Sequence, residues 1–140
     1  MPMPEPKNTR WPDDRQRQRI EHHLSGFAAA VNGIRASVVA SVDGFVLARA
    51  GGAAGGGERL AAMTSSMLGL AGAVNRELAL GELEALMLDS SDGKVLMLSL
   101  PCARQPLLMM AACSQRSVMG NVLWSAKECG RKILAELDGP

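Results

Sequence analysis

The stretch VVASVDGFVLARAGG, residues 38–52, decides the fold. Two short apolar runs flank Asp43-Gly44, and an Asp-Gly pair supplies the positive φ angles that a tight two-residue hairpin turn demands. It predicts antiparallel strands over 36–42 and 45–49. The pattern returns in LDSSDGKVLML, residues 88–98, where Ser91-Asp92-Gly93 separates strands over 84–89 and 94–100. A fifth strand, 107–113, follows the loop PCARQP. Carboxylate acid–base catalysis needs two groups converging on one pocket in unlike environments. Asp43 and Asp92 each sit at a turn beside a glycine, so both are explained without catalysis.

The strands do not alternate cleanly. VLMLSL and LLMMAAC put large apolar groups on successive positions, hence on both faces, which implies a sheet covered on both sides by helices. Three helices are available. The first begins at the N-cap Asp13, with Ile20, Leu24, Phe27 (or Ala28) and Val31 at three- and four-residue steps, while Arg15, Arg17, Arg19 and Glu21 lie largely elsewhere as a solvated face. The second, over 58–80, carries Leu60, Met63, Met67, Leu70, Val74 and Leu78 as its expected core stripe. The third, over 117–137, carries Val118, Val122, Ala126, Cys129, Ile133 and Leu137. Tight hairpins make neighbouring strands antiparallel. The expected fold is α+β, a five-stranded antiparallel sheet between helices in the order α-β-β-α-β-β-β-α.

At 140 residues the chain fits one domain with a real core. A formal net charge of +1 and 21% charged residues give no electrostatic basis for nucleic-acid binding. No apolar run reaches the roughly 18 residues of a membrane span, and the polar start lacks a signal peptide's apolar region, so no membrane insertion and a cytoplasmic location are expected. Pro2, Pro4, Pro6 and Pro12 preclude a continuous helix or central strand, so residues 1–12 are expected to form a disordered arm and 13–140 the domain.

Cys102, Cys113 and Cys129 form no C-x-x-C pair and are expected as buried thiols. His22 and His23 diverge by about 100 degrees on a helix and cannot both face one metal. The sequence thus points to no cofactor and no metal. GGAAGGGER, residues 51–59, precedes a helix as a phosphate loop does, but Glu58 stands where such a loop needs lysine. It is expected to be a plain strand-to-helix connection.

Opposite the apolar stripe of the second helix, Ala62, Ser65, Gly69, Gly72 and Arg76 recur at helical steps, with Ser66 and Ala73 beside them. Each exposed glycine costs helix stability by about 1 kcal/mol relative to alanine. Two explanations fit: a thinly solvated face, or close packing of another helix across a subunit boundary. Arg76 and Glu77 are the polar candidates for partner binding beside this stripe. On the third helix Trp124 lies among Lys127, Glu128 and Arg131, either as a binding anchor or buried against the first helix or the arm.

The element order, the VVASVDGFVLA and SSDGKVLMLSL hairpins and the closing amphipathic helix resemble the roadblock/dynein light chain family over about residues 20–137. The resemblance implies a homodimer, made by pairing third strands into one continuous sheet with the second helices packed together. On this chain that places Leu86 and Leu88, with Ala62, Ser65, Gly69 and Gly72, at the subunit interface. It also implies a non-enzymatic scaffold, since the bacterial, MglB-like members bind and regulate small Ras-like GTPases. The competing expectation is a small-molecule sensor or cysteine-dependent enzyme using a helix–sheet pocket and Cys102 or Cys113. No histidine lies near either thiol in sequence to activate it.

Overall fold

A computed structural model describes residues 11–52 and 57–139. The elements are α1 (Asp14–Ala30), β1 (Ile34–Ser41), β2 (Val46–Gly51), α2 (Gly57–Glu77), β3 (Leu86–Ser90), β4 (Gly93–Leu100), β5 (Leu107–Cys113) and α3 (Met119–Asp138). The strands form one sheet in the order β2-β1-β5-β4-β3, with every neighbouring pair antiparallel. The expected α+β order is the observed one.

Both sheet faces are covered. Val39, Leu96, Leu98, Leu107 and Met109 pack under α1 and α3, against Ile20, Leu24, Val122 and Ile133. Their sequence neighbours Val38, Met97, Leu108 and Met110 point the other way, under Ala61 and Leu68 of α2. Apolar residues at successive strand positions therefore feed two cores, one per face.

α1 starts at Asp13 with a reciprocal capping box: Gln16 N–H donates to the Asp13 carboxylate at 2.8 Å, and Asp13 N–H donates to Gln16 Oε1 at 2.9 Å. Together these satisfy two of the donors that a helix start leaves free. Residues 1–10 of the expected arm lie outside the described residues. Trp11 and Pro12, assigned to the same arm, pack instead: Pro12 is buried, and half-buried Trp11 lies against the core with the Arg104 guanidinium 5.0 Å from its ring centroid. Residues 53–56 of the glycine-rich connection are also outside the described residues.

Both turns differ from expectation in detail. The first hairpin has a longer connection, in which Gly44 N–H donates to Ser41 O at 3.0 Å and Ser41 N–H to Phe45 O at 2.9 Å. Only Gly44, at φ +93°, needs positive φ there, so Asp43 precedes the strained position. In the second hairpin Ser90 pairs with Gly93, leaving Ser91-Asp92 as the turn. Gly93 serves close approach: a Cβ there would meet Cys113 O at 3.1 Å.

The largest correction concerns α2. Its buried face is Gly57, Ala61, Thr64 and Leu68. Leu60, Met63, Leu70, Val74 and Leu78, expected in the core, are exposed, and Met67 is half-buried at the margin. Small side chains let the helix lie close to the sheet; a Cβ on Gly57 would already meet Val46 Cγ2 at 3.3 Å. Val118, expected in the α3 core stripe, is exposed at the N-cap.

Candidate interaction surface

The outward flank of α2 presents Leu60, Met63, Leu70 and Val74, at steps of three, seven and four residues, with Leu78 and Leu80 just beyond the helix end. Leu70 is 71% exposed. A helix whose large apolar residues face away from the protomer core has a burial still to make.

Beside it, β3 is an edge strand. It pairs with β4 from Leu86↔Met97 to Ser90↔Gly93, and no strand among the described residues pairs with its other side. Leu86 and Leu88 point under α2 and are half-buried there, whereas Met87 faces the opposite side and is exposed. The sheet's other edge is treated differently. In β2 the register jumps from Val39↔Ala48 to Ala40↔Val46, leaving Leu47 as a bulge, and Arg17 of α1 donates to the Leu47 carbonyl at 3.2 Å. Bulges and charged side chains protect edges against further pairing.

The expected interface residues do not form one surface. Ala62, Ser65, Gly69 and Gly72 lie on the α2 flank about 160 degrees around from the apolar one. Part of that small stripe serves the protomer itself. The first hairpin folds over it: a Cβ on Gly44 would sit 3.7 Å from Ala62 Cβ, and Ser65 Oγ donates to Val42 O at 2.7 Å. Gly69 is exposed, and a Cβ there meets nothing within 4 Å.

Arg76 and Glu77 are exposed at the C-terminal end of α2. Arg76 borders a cleft of about 580 Å³ shared with Asn75, Gly81, Leu83 and Ser99. A cation in the last helical turn also suits the helix dipole. Trp124 is 68% exposed, so it is not buried against α1. It sits on α3, across the sheet from α2, so it belongs to a separate surface from Arg76.

The outward exposure of the apolar flank was missed by sequence reasoning, as was that of Phe45 and Val42 at the hairpin tip over the small-residue flank. A signal existed: Ala61 and Thr64 fit a close helix–sheet contact better than methionine and leucine do.

The three thiols are buried. Burial, with little offset from Lys132, pushes Cys129 up to about 11. Cys102 is raised by burial and by its contact with the Asp138 carboxylate, to which its Sγ lies 3.1 Å. Raised, buried thiols hold little thiolate near neutrality. Among the described residues no His, Cys, Asp and Glu cluster could hold a metal, and no helix is long and apolar enough to cross a membrane.

A helix-covered antiparallel sheet with one open strand edge and an exposed apolar helix flank defines a small α+β module. A sequence profile of the Roadblock/LC7 domain matches residues 22–101, and the chain belongs to that family. Solved structures agree on the fold. A Roadblock/LC7 domain from Streptomyces avermitilis superposes with a TM-score of 0.73 at 12% identity, covering 81% of this chain and 92% of its own. The gliding protein MglB of Thermus thermophilus gives 0.75 at 12% identity, covering 89% and 93%. MglB of Myxococcus xanthus gives 0.75 at 12% identity, covering 87% and 97%. Among curated proteins no sequence is significantly similar to this chain.

Proposed function

We propose that this chain is a non-enzymatic cytoplasmic scaffold that works as a homodimer and binds and regulates a small Ras-like GTPase. The observation that carries the proposal is the apolar flank of α2 next to the open β3 edge. Two copies related by a twofold axis present this same pair of features to each other, so that β3 pairs with β3 while Leu60, Met63, Leu70 and Val74 meet their counterparts. The small-residue flank, with Ala62, Gly69 and Gly72, then stays outside the helix–helix contact. Membership of the Roadblock/LC7 family and likeness to MglB support this reading.

A pair of α2 helices leaves Arg76 and Glu77 at its rim as the polar contacts for the GTPase. The hydrolytic chemistry stays with the partner, whose switch segments the scaffold holds or reshapes. Raised, buried thiols support a non-catalytic role for this chain. The test is titration of a candidate GTPase, loaded with GTP analogue or GDP, against the dimer and against dimers carrying Arg76→Ala or Glu77→Ala. Preference for one nucleotide state, weakened by these changes, is the expected result. Absence of binding in both states to the unaltered dimer removes the GTPase from the proposal and leaves the dimer.

A further inference from the structure

The layer opposite α2 carries a groove that the dimer does not use. It runs between the antiparallel helices α1 and α3 as three clefts in line. The first, about 400 Å³, opens near the start of α1 beside Arg15, Arg19 and Glu136. It shares His22 and His23 with the second, about 280 Å³, whose wall includes Phe27 and Lys132. The second shares Ala30, Trp124 and Ser125 with the third, about 400 Å³, which reaches Asn32 and Arg116. Trp124 stands between the last two clefts with 68% of its surface open.

The charges along this groove are unequally matched. Both carboxylates that line it are engaged: Glu136 accepts from Arg19 at 3.5 Å and lies 3.2 Å from His23 Nε2, and Glu128 is held by Arg131. The cations are not. Arg15, Lys132 and Arg116, one in each cleft, are exposed, and none pairs with a carboxylate among the described residues.

We propose that this groove binds an acidic, extended segment of a partner protein, whose carboxylates meet Arg15, Lys132 and Arg116 while an apolar side chain covers Trp124. Charge complementarity and spacing carry the proposal. From Arg15 to Asn32 is about 26 Å along α1 at 1.5 Å per residue, which an extended strand covers in about eight residues. Lys132 falls near the middle, one helical turn from Glu136, which meets Arg19 and His23, and two turns from Trp124. The cations are therefore about 12 Å apart, and an extended peptide answers them with a carboxylate at about every fourth residue.

Nucleic acid does not fit this pattern. Each strand of a duplex carries one charge per about 3.4 Å, and the phosphates between the cations would lie against Glu128 and Glu136. A large aromatic side chain open to solvent between two clefts is the kind of anchor that a protein partner covers. The chain's own first ten residues set Glu5 against Lys7 and Arg10, so they do not supply an acidic segment. The groove lies across the sheet from α2, so this inference stands apart from the homodimer and the GTPase.

The test uses the full chain and a fluorescein-labelled peptide of ten residues: three Asp-Glu pairs, the first two separated by Gly-Gly and the last two by Pro-Phe. Extended, its acidic pairs are centred about 13 Å apart. Titration followed by fluorescence anisotropy is expected to show saturable binding that weakens with salt. Replacing every Asp-Glu pair by Asn-Gln should weaken it at least tenfold, and Trp124→Ala or Lys132→Glu in the protein about tenfold each. Both altered side chains are exposed, so the core is untouched. A charge swap locates the contact: the peptide with Lys-Arg as its middle pair should bind Lys132→Glu more tightly than the unaltered chain. Absence of binding, equal binding of the Asn-Gln peptide, or indifference to Lys132→Glu overturns the proposal. Tighter binding of a ten-nucleotide oligothymidylate overturns the peptide occupant in favour of nucleic acid.

Discussion

Leu70→Ala isolates the apolar flank of α2. In the protomer Leu70 is 71% exposed, so truncation opens no cavity and touches no core contact. Alanine is also the best helix former, so α2 itself is not weakened. The isolated protomer should therefore be unaffected, with unchanged far-ultraviolet circular dichroism at high dilution. The dimer should suffer. Complete burial of a leucine side chain stabilises by about 1.5–3 kcal/mol, and the open fraction of Leu70 gives about 1–2 kcal/mol for each copy. Twofold symmetry counts the loss twice, about 2–4 kcal/mol per dimer. This weakens Kd by about 30- to 1,000-fold. Sedimentation equilibrium over a concentration series reads the shift directly. A Kd unchanged by Leu70→Ala, or an unaltered protein that stays monomeric at every concentration, refutes the placement of the second copy on this flank.

Gly69→Ala should raise the melting temperature, since it removes about 1 kcal/mol of helix cost and the new Cβ meets nothing within 4 Å. The dimer Kd should not move, and a weakened dimer would return the partner helix to the small-residue flank. Gly44→Val should cost about 1–3 kcal/mol in a denaturant melt because valine is strained at φ +93°, whereas Asp43→Asn should stay within about 0.5 kcal/mol. Cys129 has a folded-state value raised from 9.0 to about 11. Its contribution to stability is therefore present below pH 9 and lost as pH rises toward 11. Melting temperatures across this window should fall less steeply in Cys129→Ala, and parallel curves would show that folding does not raise the thiol above its unfolded value.

How much was legible in the sequence differs between the layers. The sheet was legible because strand periodicity and turn chemistry are local: uninterrupted apolar runs such as VLMLSL require cover on both faces whatever the covering helices are. α1 was equally legible, since Asp13 and Gln16 sit three residues apart at its start. The rotation of α2 was not. A helical stripe of Leu60, Met63, Leu70 and Val74 states that a face will be buried, and it carries no information about whether the burying surface belongs to the same chain. What could have decided was the other side of the helix. Ala61 and Thr64 suit a helix lying close on a sheet, with Leu68 the one large side chain of that face. Trp124 was ambiguous for a related reason: Lys127, Glu128 and Arg131 share its side of α3, but the cleft beside it is built with α1, about a hundred residues away.

The contrast between the two sheet edges sets a limit on assembly. At β2 the Leu47 bulge breaks the register and the Arg17 guanidinium holds the Leu47 carbonyl, both of which obstruct an incoming strand. At β3 nothing among the described residues does so. A sheet with one terminated end and one receptive end can be extended once. Joining two such sheets through their receptive ends leaves only terminated ends outward, so growth stops at two, and the long apolar helix can remain in a sheet protein without seeding fibres.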